Sequence, residues 1–494
     1  MAICIRDPHR VVVACVTYVT CGWLTAPIPS APASDGGGSC HLASLTIQFV
    51  AQFVAQFVAQ FVAQFVATSR TKPQNKGASP MCVYIGIDWS QDKHDVVIVR
   101  EDGHRLLQFV MPHQQNDFAK LHQQCQKHGL QPSACHIAIE TSFNLLVDYL
   151  WAYGFDHVYV IPPSVVKASR SRYTSSGARN DKSDAYLLAD LLRTDGHRFA
   201  PWRPDSTLTC QMRSLVNLLQ QLTRRTTGLA NQLRALLLRY YPALLELFPD
   251  LTAKTALAFL TAYPTPQAAA TLNAQELRQF LRQQHYSRPD RLLAKLPQLL
   301  SPTLQTTPAT AQIYAYPALT LAAQLQVVLA QKAAAQAQLT ILFRQHPDHD
   351  VFASLPGAGE FLAPALLVQF GDHRDRFPAA ADVQALAGTV PVTSQSGKAH
   401  HVHFRQACDR QFRYFATQLA VCAVTNSRSP YAVAYWHDQL ARGKSVNLAY
   451  RCLANRLLAV AWKLWCTHTT YDAAFHVQQR CLHHQTLQQP TEPD

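Results

Sequence analysis

Residues 83–102 read VYIGIDWSQDKHDVVIVRED, and the pattern of this stretch decides the fold of the domain it opens. Val83–Asp88 mixes β-branched residues with one glycine and breaks at the polar stretch DWSQDKHD, read as a turn. A second strand follows in DVVIVRED. After the Asp102-Gly103 turn signal, RLLQFVM supplies a third strand, so the three form an antiparallel meander. The two-residue strand period sets Ile85 and Ile87 on one face and Tyr84, Gly86 and Asp88 on the other. A helix around NDFAKLHQQCQKHG, a strand HIAIE, a helix FNLLVDYLWAYG and a strand HVYVIPP complete the order β-β-β-α-β-α-β.

That order is the order of a ribonuclease H-like α/β fold of the RuvC type, here spanning residues 81–205. It fixes where four acids stand. Asp88 leaves the first strand, and Glu140 closes the fourth, which lies beside the first in such a sheet. Asp181 and Asp184, in NDKSDAYLLADLL, are three apart on a helix and project from one side; Leu187, Leu188 and Leu191 supply its apolar contact. Carboxylates gathered from separate segments make a hard oxygen site for Mg²⁺, the usual partner of phosphate chemistry. Singly, each has an ordinary reading: Asp88 as a turn residue, Asp181 as a helix cap, Glu140 as the partner of an arginine. Their joint occurrence in this order favours the cation site.

The whole chain has 494 residues, 48% of them apolar and 15% charged, the profile of a multidomain globular protein. Its net charge of +13 favours a polyanionic partner, nucleic acid first among them. Residues 1–80 look foreign to the fold. QFVA runs five times without error from Gln48 to Ala67, the in-frame reading of a repeated DNA unit, and no folding requirement explains it. VVVACVTYVTCGWL before APIPSAPAS imitates a signal peptide, but translated upstream sequence is the better reading, with Met81 as the true start. The extension carries five Lys/Arg against two Asp/Glu, so +10 of the +13 belongs to the remainder. Thirteen cysteines show no C-x-x-C or zinc-ribbon spacing, which suits isolated buried thiols in a reducing cytosol.

Residues 206–346 are read as helical. Leu215, Leu219, Leu222, Thr226, Leu229, Leu233 and Leu236 keep a heptad spacing, as do Leu321, Leu325, Val328, Lys332, Ala335, Leu339 and Leu342. A coiled-coil hairpin, a dimer seam and an ordinary bundle core all satisfy that pattern. Arg213, Arg224, Arg225, Arg234 and Arg239 either line a nucleic acid or form a solvated face. In residues 347–470, SLPGAGEFLAPALLVQFGD resembles a helix-hairpin-helix, whose backbone N–H groups hold a DNA phosphate. The loop TVPVTSQSGK comes next, with Ser394, and with Ser396 before Gly397 and Lys398. A serine becomes a nucleophile only where a base, metal or cation assists loss of its proton. No phosphate-cradling P-loop is present, because neither SGKA nor RGKS has the required preceding glycine. Residues 471–494 form a tail.

With these elements in place, the chain from Met81 to about Cys466 resembles a DEDD-type transposase of the insertion sequence 110 family, kin to the Piv-type site-specific invertases. The resemblance rests on GIDWSQDKHDVVIV, IET, DKSDAYLLADLLR, LPGAGEFLAPALLVQFGD and the AGTVP-to-SGK segment, in that order and spacing. It implies a RuvC-like domain joined through a coiled-coil connection to a mostly helical transposase domain. It implies Mg²⁺ held by Asp88, Glu140, Asp181 and Asp184, and Ser396 as the nucleophile of a covalent link to DNA, with Ser394 as the alternative. Some members use an RNA transcribed from the element to choose the site. A homodimer or tetramer acting on element ends and target DNA in the bacterial cytoplasm, at the nucleoid and without a membrane, is the implied setting. Ser142-Phe143 stands where the family tends to have glycine, His400, His401 and His403 where it is Lys/Arg-rich, and Cys408 where glycine is common. The rival readings are a RuvC-like metal-dependent nuclease with an idle serine, and an inactive nucleic-acid-binding relic.

Overall fold

The computed structural model describes residues 82–141, 145–173, 181–300, 306–397 and 399–488. The extension with its QFVA repeats, Met81, Ser142-Phe143, Lys398 and the last six residues of the tail lie outside the described residues.

Five strands, β1 (Val83–Trp89), β2 (Lys93–Arg100), β3 (Arg105–Pro112), β4 (Cys135–Ile139) and β5 (Val158–Val160), form one sheet in the order β3-β2-β1-β4-β5. The first three are antiparallel, and β4 and β5 run parallel to β1. The antiparallel meander and the place of β4 beside β1 agree with the sequence reading. The turn does not: β1 continues to Trp89 and β2 begins at Lys93, closed by a hydrogen bond from Ser90 N to Lys93 O of 3.2 Å. His94 and Asp95 therefore lie inside a strand, and both are buried. Polar residues mimicked a turn because each is held on a covered face.

Helices α1 (Gln115–Lys127) and α2 (Leu145–Ala152) cover one face, where Ile85, Ile87 and Ile98 meet Phe118, Leu121, Leu146 and Leu150. After α3 (Pro163–Ser169), helix α4 (Asp181–Asp195) covers the other face through Ala185 and Ala189 on Val97 and Val99, and through Leu187, Leu188 and Leu191 near Ala138 and Ile161. Gly86 permits this. A Cβ there would stand 1.9 Å from the carbonyl oxygen of Ala185, so only glycine lets helix and strand backbones approach so closely.

The rest of the described chain is mostly helical. Helices α5 (Thr207–Tyr240) and α6 (Pro308–Arg344), of 34 and 37 residues, pack side by side with short helices between them in sequence. They are antiparallel: Thr209 near the start of α5 meets His346 just past α6, and the rings of Tyr240 and Tyr314 stack 6.4 Å apart at the other end. Of the expected seam, Leu219, Leu222, Thr226, Leu233, Leu325, Ala335 and Leu339 are buried and the remaining positions half-buried. By length and composition α6 could cross a membrane, but here its buried side chains line protein cores. One end of the helix pair shares a core with the C-terminal helices through Met212, Val216, Leu339 and Phe343. The other end belongs to a second core with Leu257, Phe259 and Leu277.

The C-terminal core is built by α7 (Leu362–Phe370), α8 (Arg410–Thr425), α9 (Pro430–Ala441) and α10 (Val446–Thr467). The segment expected as a loop around Ser394 and Ser396 is instead a hairpin of β6 (Val392–Ser396) and β7 (Ala399–His403). Gly397, which follows the first five-residue arm at φ 56°, supplies the left-handed conformation that tight hairpin turns need. The described cysteines are all free. Cys422, Cys452 and Cys466 are half-buried on helices, whereas Cys408 lies in the segment before α8.

Candidate active site

In the parallel pairing of β1 with β4, Ile87 stands opposite Ile139, so the next residues, Asp88 near the end of β1 and Glu140 just past β4, come side by side. Helix α4 runs antiparallel to β1 over Gly86. Its far end is tied down where Arg193 Nη1 donates to the carbonyl of Glu101 at 3.2 Å, beyond the opposite end of the strands. The first turn of α4, carrying Asp184, accordingly overhangs the end of the sheet that holds Asp88 and Glu140. Asp181 is the first residue of this helix; its side chain lies outside the described set.

Arg170 donates from Nη2 to Asp184 Oδ2 at 2.7 Å. Burial pushes the Glu140 carboxyl above its ordinary range; the Arg170 charge opposes this, and the Asp184 charge adds to it. Glu140 and Asp184 thus feel one another's charge with one guanidinium beside them. Among the described residues no three His, Cys, Asp or Glu side chains already stand in gripping distance of a single ion. The donor set nonetheless fits a hard divalent cation. It is made wholly of carboxylate oxygens, and the repulsion between Glu140 and Asp184 is what such an ion relieves.

The serines occupy a different part of the fold. Every residue of β6 and β7 is exposed, so within one chain Ser396 is not buried against the acidic end of the sheet. Ser394 Oγ lies 3.1 Å from His403 Nε2 across the hairpin, a serine–imidazole pair that inspection of the sequence did not single out. The base of the hairpin is held firmly. Phe404 is clasped by the guanidinium groups of Arg413 and Arg451, at 4.3 and 4.7 Å from its ring centre, and Arg405 Nε donates to Val390 O at 3.3 Å.

Three of the five arginines considered for nucleic acid already serve the protein. Arg213 is paired with Asp205 and donates to Val368 O, Arg234 donates to Pro249 O, and Arg239 lies over Tyr314. Arg224 and Arg225 remain exposed. In the element resembling a helix-hairpin-helix, α7 is buried on almost every side, while Gly359 and Glu360 before it are exposed. The sequence reading also passed over Arg170, although the basic SRSR stretch preceding the acidic helix was a signal that a cationic partner stood near.

Comparison with known proteins bears on both regions. Residues 85–242 match a family model for the DEDD transposase of IS110 type, and residues 349–437 match the transposase IS116/IS110/IS902 family. The candidate mini-circle transposase of IS117 from Streptomyces coelicolor is 32% identical over 386 residues, covering 76% of this chain and 92% of that protein. An uncharacterized 43.6 kDa protein of insertion element IS110, also from Streptomyces coelicolor, is 29% identical over 60% of this chain and 73% of its own length. The uncharacterized 42 kDa protein of insertion element IS900 from Mycobacterium paratuberculosis is 25% identical over 79% of this chain and 98% of its own length.

Proposed function

This chain belongs to the IS110 family of transposases, and from that premise we propose that it moves an insertion sequence by cation-assisted, serine-mediated cutting and rejoining of DNA. In this reading the sheet and its helices are a RuvC-like, ribonuclease H-type domain in which Asp88, Glu140, Asp181 and Asp184 hold Mg²⁺. The observation that carries it is the meeting of Asp88, Glu140 and the Asp184 turn at one end of the sheet. Bound Mg²⁺ supplies charge neutralisation and polarisation at the scissile phosphate.

Ser396 Oγ forms a bond to the phosphorus as the deoxyribose oxygen leaves; the leaving oxygen takes a proton, and the serine proton passes to solvent. One phosphorus–oxygen bond replaces another, so rejoining to a second strand needs no ATP. Ser394 is the alternative nucleophile. Because the hairpin is exposed, a second copy of the chain or a domain movement brings it to the acids; the antiparallel pair of α5 and α6 serves as a coiled-coil connection within the chain, and a dimer or tetramer supplies the second copy. The net charge of +13 suits DNA and, equally, an element-encoded guide RNA that would choose sites by base pairing. The place of action is the bacterial cytoplasm, at the nucleoid.

The test is adduct trapping. Full-length protein, element-end DNA and Mg²⁺ are combined, then denatured and resolved by size. Wild type gives a protein–DNA adduct, and Ser396→Ala loses both adduct and cutting. Cutting without an adduct in Ser396→Ala identifies a hydrolytic nuclease, cutting with an adduct assigns the nucleophile to Ser394, and a wild type that neither cuts nor links DNA is a relic.

A further inference from the structure

Asp95 is the cross-strand partner of Asp88 in the antiparallel ladder of β1 and β2. Partners directly opposite share a face, with Cβ atoms about 4.5–5.5 Å apart. That face is the one covered by α4, since Val97, two residues along β2 from Asp95, packs on Ala185 and Ala189. Trp89 and His94, one step along each strand, turn to the opposite face and stack with ring centres 6.3 Å apart. Asp95 therefore stands beside Asp88, under the N-terminal end of α4, on the same side as the other acids.

Its surroundings do not explain it. Asp95 is 4% exposed, yet among the described residues its carboxylate has neither a hydrogen-bond nor an ion-pair partner. The neighbouring turn is closed by Ser90, whose hydroxyl accepts from Lys93 N. Arg170 is taken up by Asp184 and Arg105 by Gln108 and the Tyr186 ring, and Lys93, two residues before Asp95 on β2, forms no ion pair with it. A cleft lined by Asp95, Gln108, Phe109 and Val110 opens alongside. A carboxylate only 4% exposed and without a counter-ion is a costly arrangement, and a divalent cation held between Asp95 and the neighbouring Asp88 offsets that cost.

We propose that Asp95 is a fifth oxygen donor of the acidic site, holding the divalent cation together with Asp88. The inference rests on the cation reading of that site and extends the donor set onto β2, toward the cleft at β3.

Mn²⁺ titration of the full chain, followed by electron paramagnetic resonance and by calorimetry, tests it alongside melting in EDTA. The variants are Asp95→Asn, Asp95→Ala and, as control, Asp88→Asn. Asp95→Asn and Asp95→Ala should weaken Mn²⁺ binding by about tenfold to a hundredfold. In EDTA, Asp95→Asn should melt at the wild-type temperature or above it, because removing an unpaired buried charge relieves strain. Unchanged Mn²⁺ affinity in both Asp95 variants, with affinity lost in Asp88→Asn, overturns the role of Asp95 and leaves the cation site standing. A lower melting temperature in EDTA with Mn²⁺ binding intact assigns Asp95 to structure and also overturns it. If Asp88→Asn binds Mn²⁺ like wild type, the cation reading itself fails.

Discussion

Arg170 and Asp184 form an ion pair 2.7 Å long at the acidic end of the sheet, and Glu140 feels both charges. A guanidinium in this position does part of what a divalent cation would do, so the two compete for Asp184. Arg170→Gln should therefore tighten Mn²⁺ binding, by up to about fivefold if the pair is worth about 1 kcal/mol, as partly exposed pairs are. In EDTA the same variant should melt slightly earlier. Calorimetric titration decides the matter, and weaker Mn²⁺ binding would mean that Arg170 organises the acids rather than competing for them.

Asp372 ties three segments together and should govern acid stability. Its Oδ1 accepts from Thr209 Oγ1 at 2.6 Å and from His346 Nε2 at 3.1 Å, and the other oxygen accepts from Ser206 N at 2.5 Å. His346 Nδ1 accepts from Asp348 N at 3.1 Å, which leaves its proton on Nε2, facing Asp372. Burial works against ionisation of Asp372, but the bonds from His346, Thr209 and Ser206 overcome it and hold the carboxyl well below the ordinary range. A folded-state pKa below the unfolded one gives stability that is full above the unfolded value, near 4, and is lost as pH falls toward the folded value. Asp372→Asn should cost about 1–3 kcal/mol at pH 7. The gap between variant and wild type should narrow as denaturation is measured at successively lower pH below about 4. A gap that stays constant from pH 7 to pH 3 would remove Asp372 from the acid response.

Much of this architecture was legible in the chain because its signals are local. Strands β1 to β4 are short, largely apolar runs bounded by turn residues, and the α5–α6 seam is a leucine spacing that survives as buried Leu219, Leu222, Leu233 and Leu339. The features that escaped depend on neighbours. His94 and Asp95 read as a polar turn, since nothing in their own identity says that Trp89 and α4 cover them. Arg213 looked available to DNA, and only the fold brings Asp205 and Val368 to it. The arms of the serine hairpin carry five exposed residues each, so no apolar alternation announced them and the segment read as a loop.

Gly86 shows how backbone proximity, invisible in composition, controls the acidic site. Its missing side chain leaves room for Ala185 O and Ala189 N, which a Cβ would meet at 1.9 and 2.7 Å. Gly86→Ala must push α4 off the sheet and carry Asp184 away from Asp88 and Glu140. A cost of roughly 3 kcal/mol, the upper end for over-packing, is expected, together with loss of Mn²⁺ binding. Melting curves and Mn²⁺ titration of the variant check both effects. Wild-type affinity in a stably folded Gly86→Ala would show that the position of α4 does not govern the site.

The turn at Gly397 makes the opposite case, one in which activity and stability should separate. Gly397 adopts φ 56°, and a Cβ there would meet nothing within 4 Å, so conformation alone restricts the position. Asparagine tolerates this region of backbone space, whereas a β-branched residue does not. Gly397→Asn should keep the hairpin and form the DNA adduct at close to the wild-type rate. Gly397→Val should fray the tip, displace Ser396 and cut adduct formation by tenfold or more, taking about 1.4 kcal/mol of lost positioning as the minimum. The hairpin is exposed on both strands, and its base is fixed separately by Arg413 and Arg451 on Phe404, so the melting temperature of both variants should remain within about 2 °C of wild type. Equal adduct rates for Asn and Val would show that the turn does not position the nucleophile, and a large fall in melting temperature for Val would place the hairpin in the core that its exposure says it leaves.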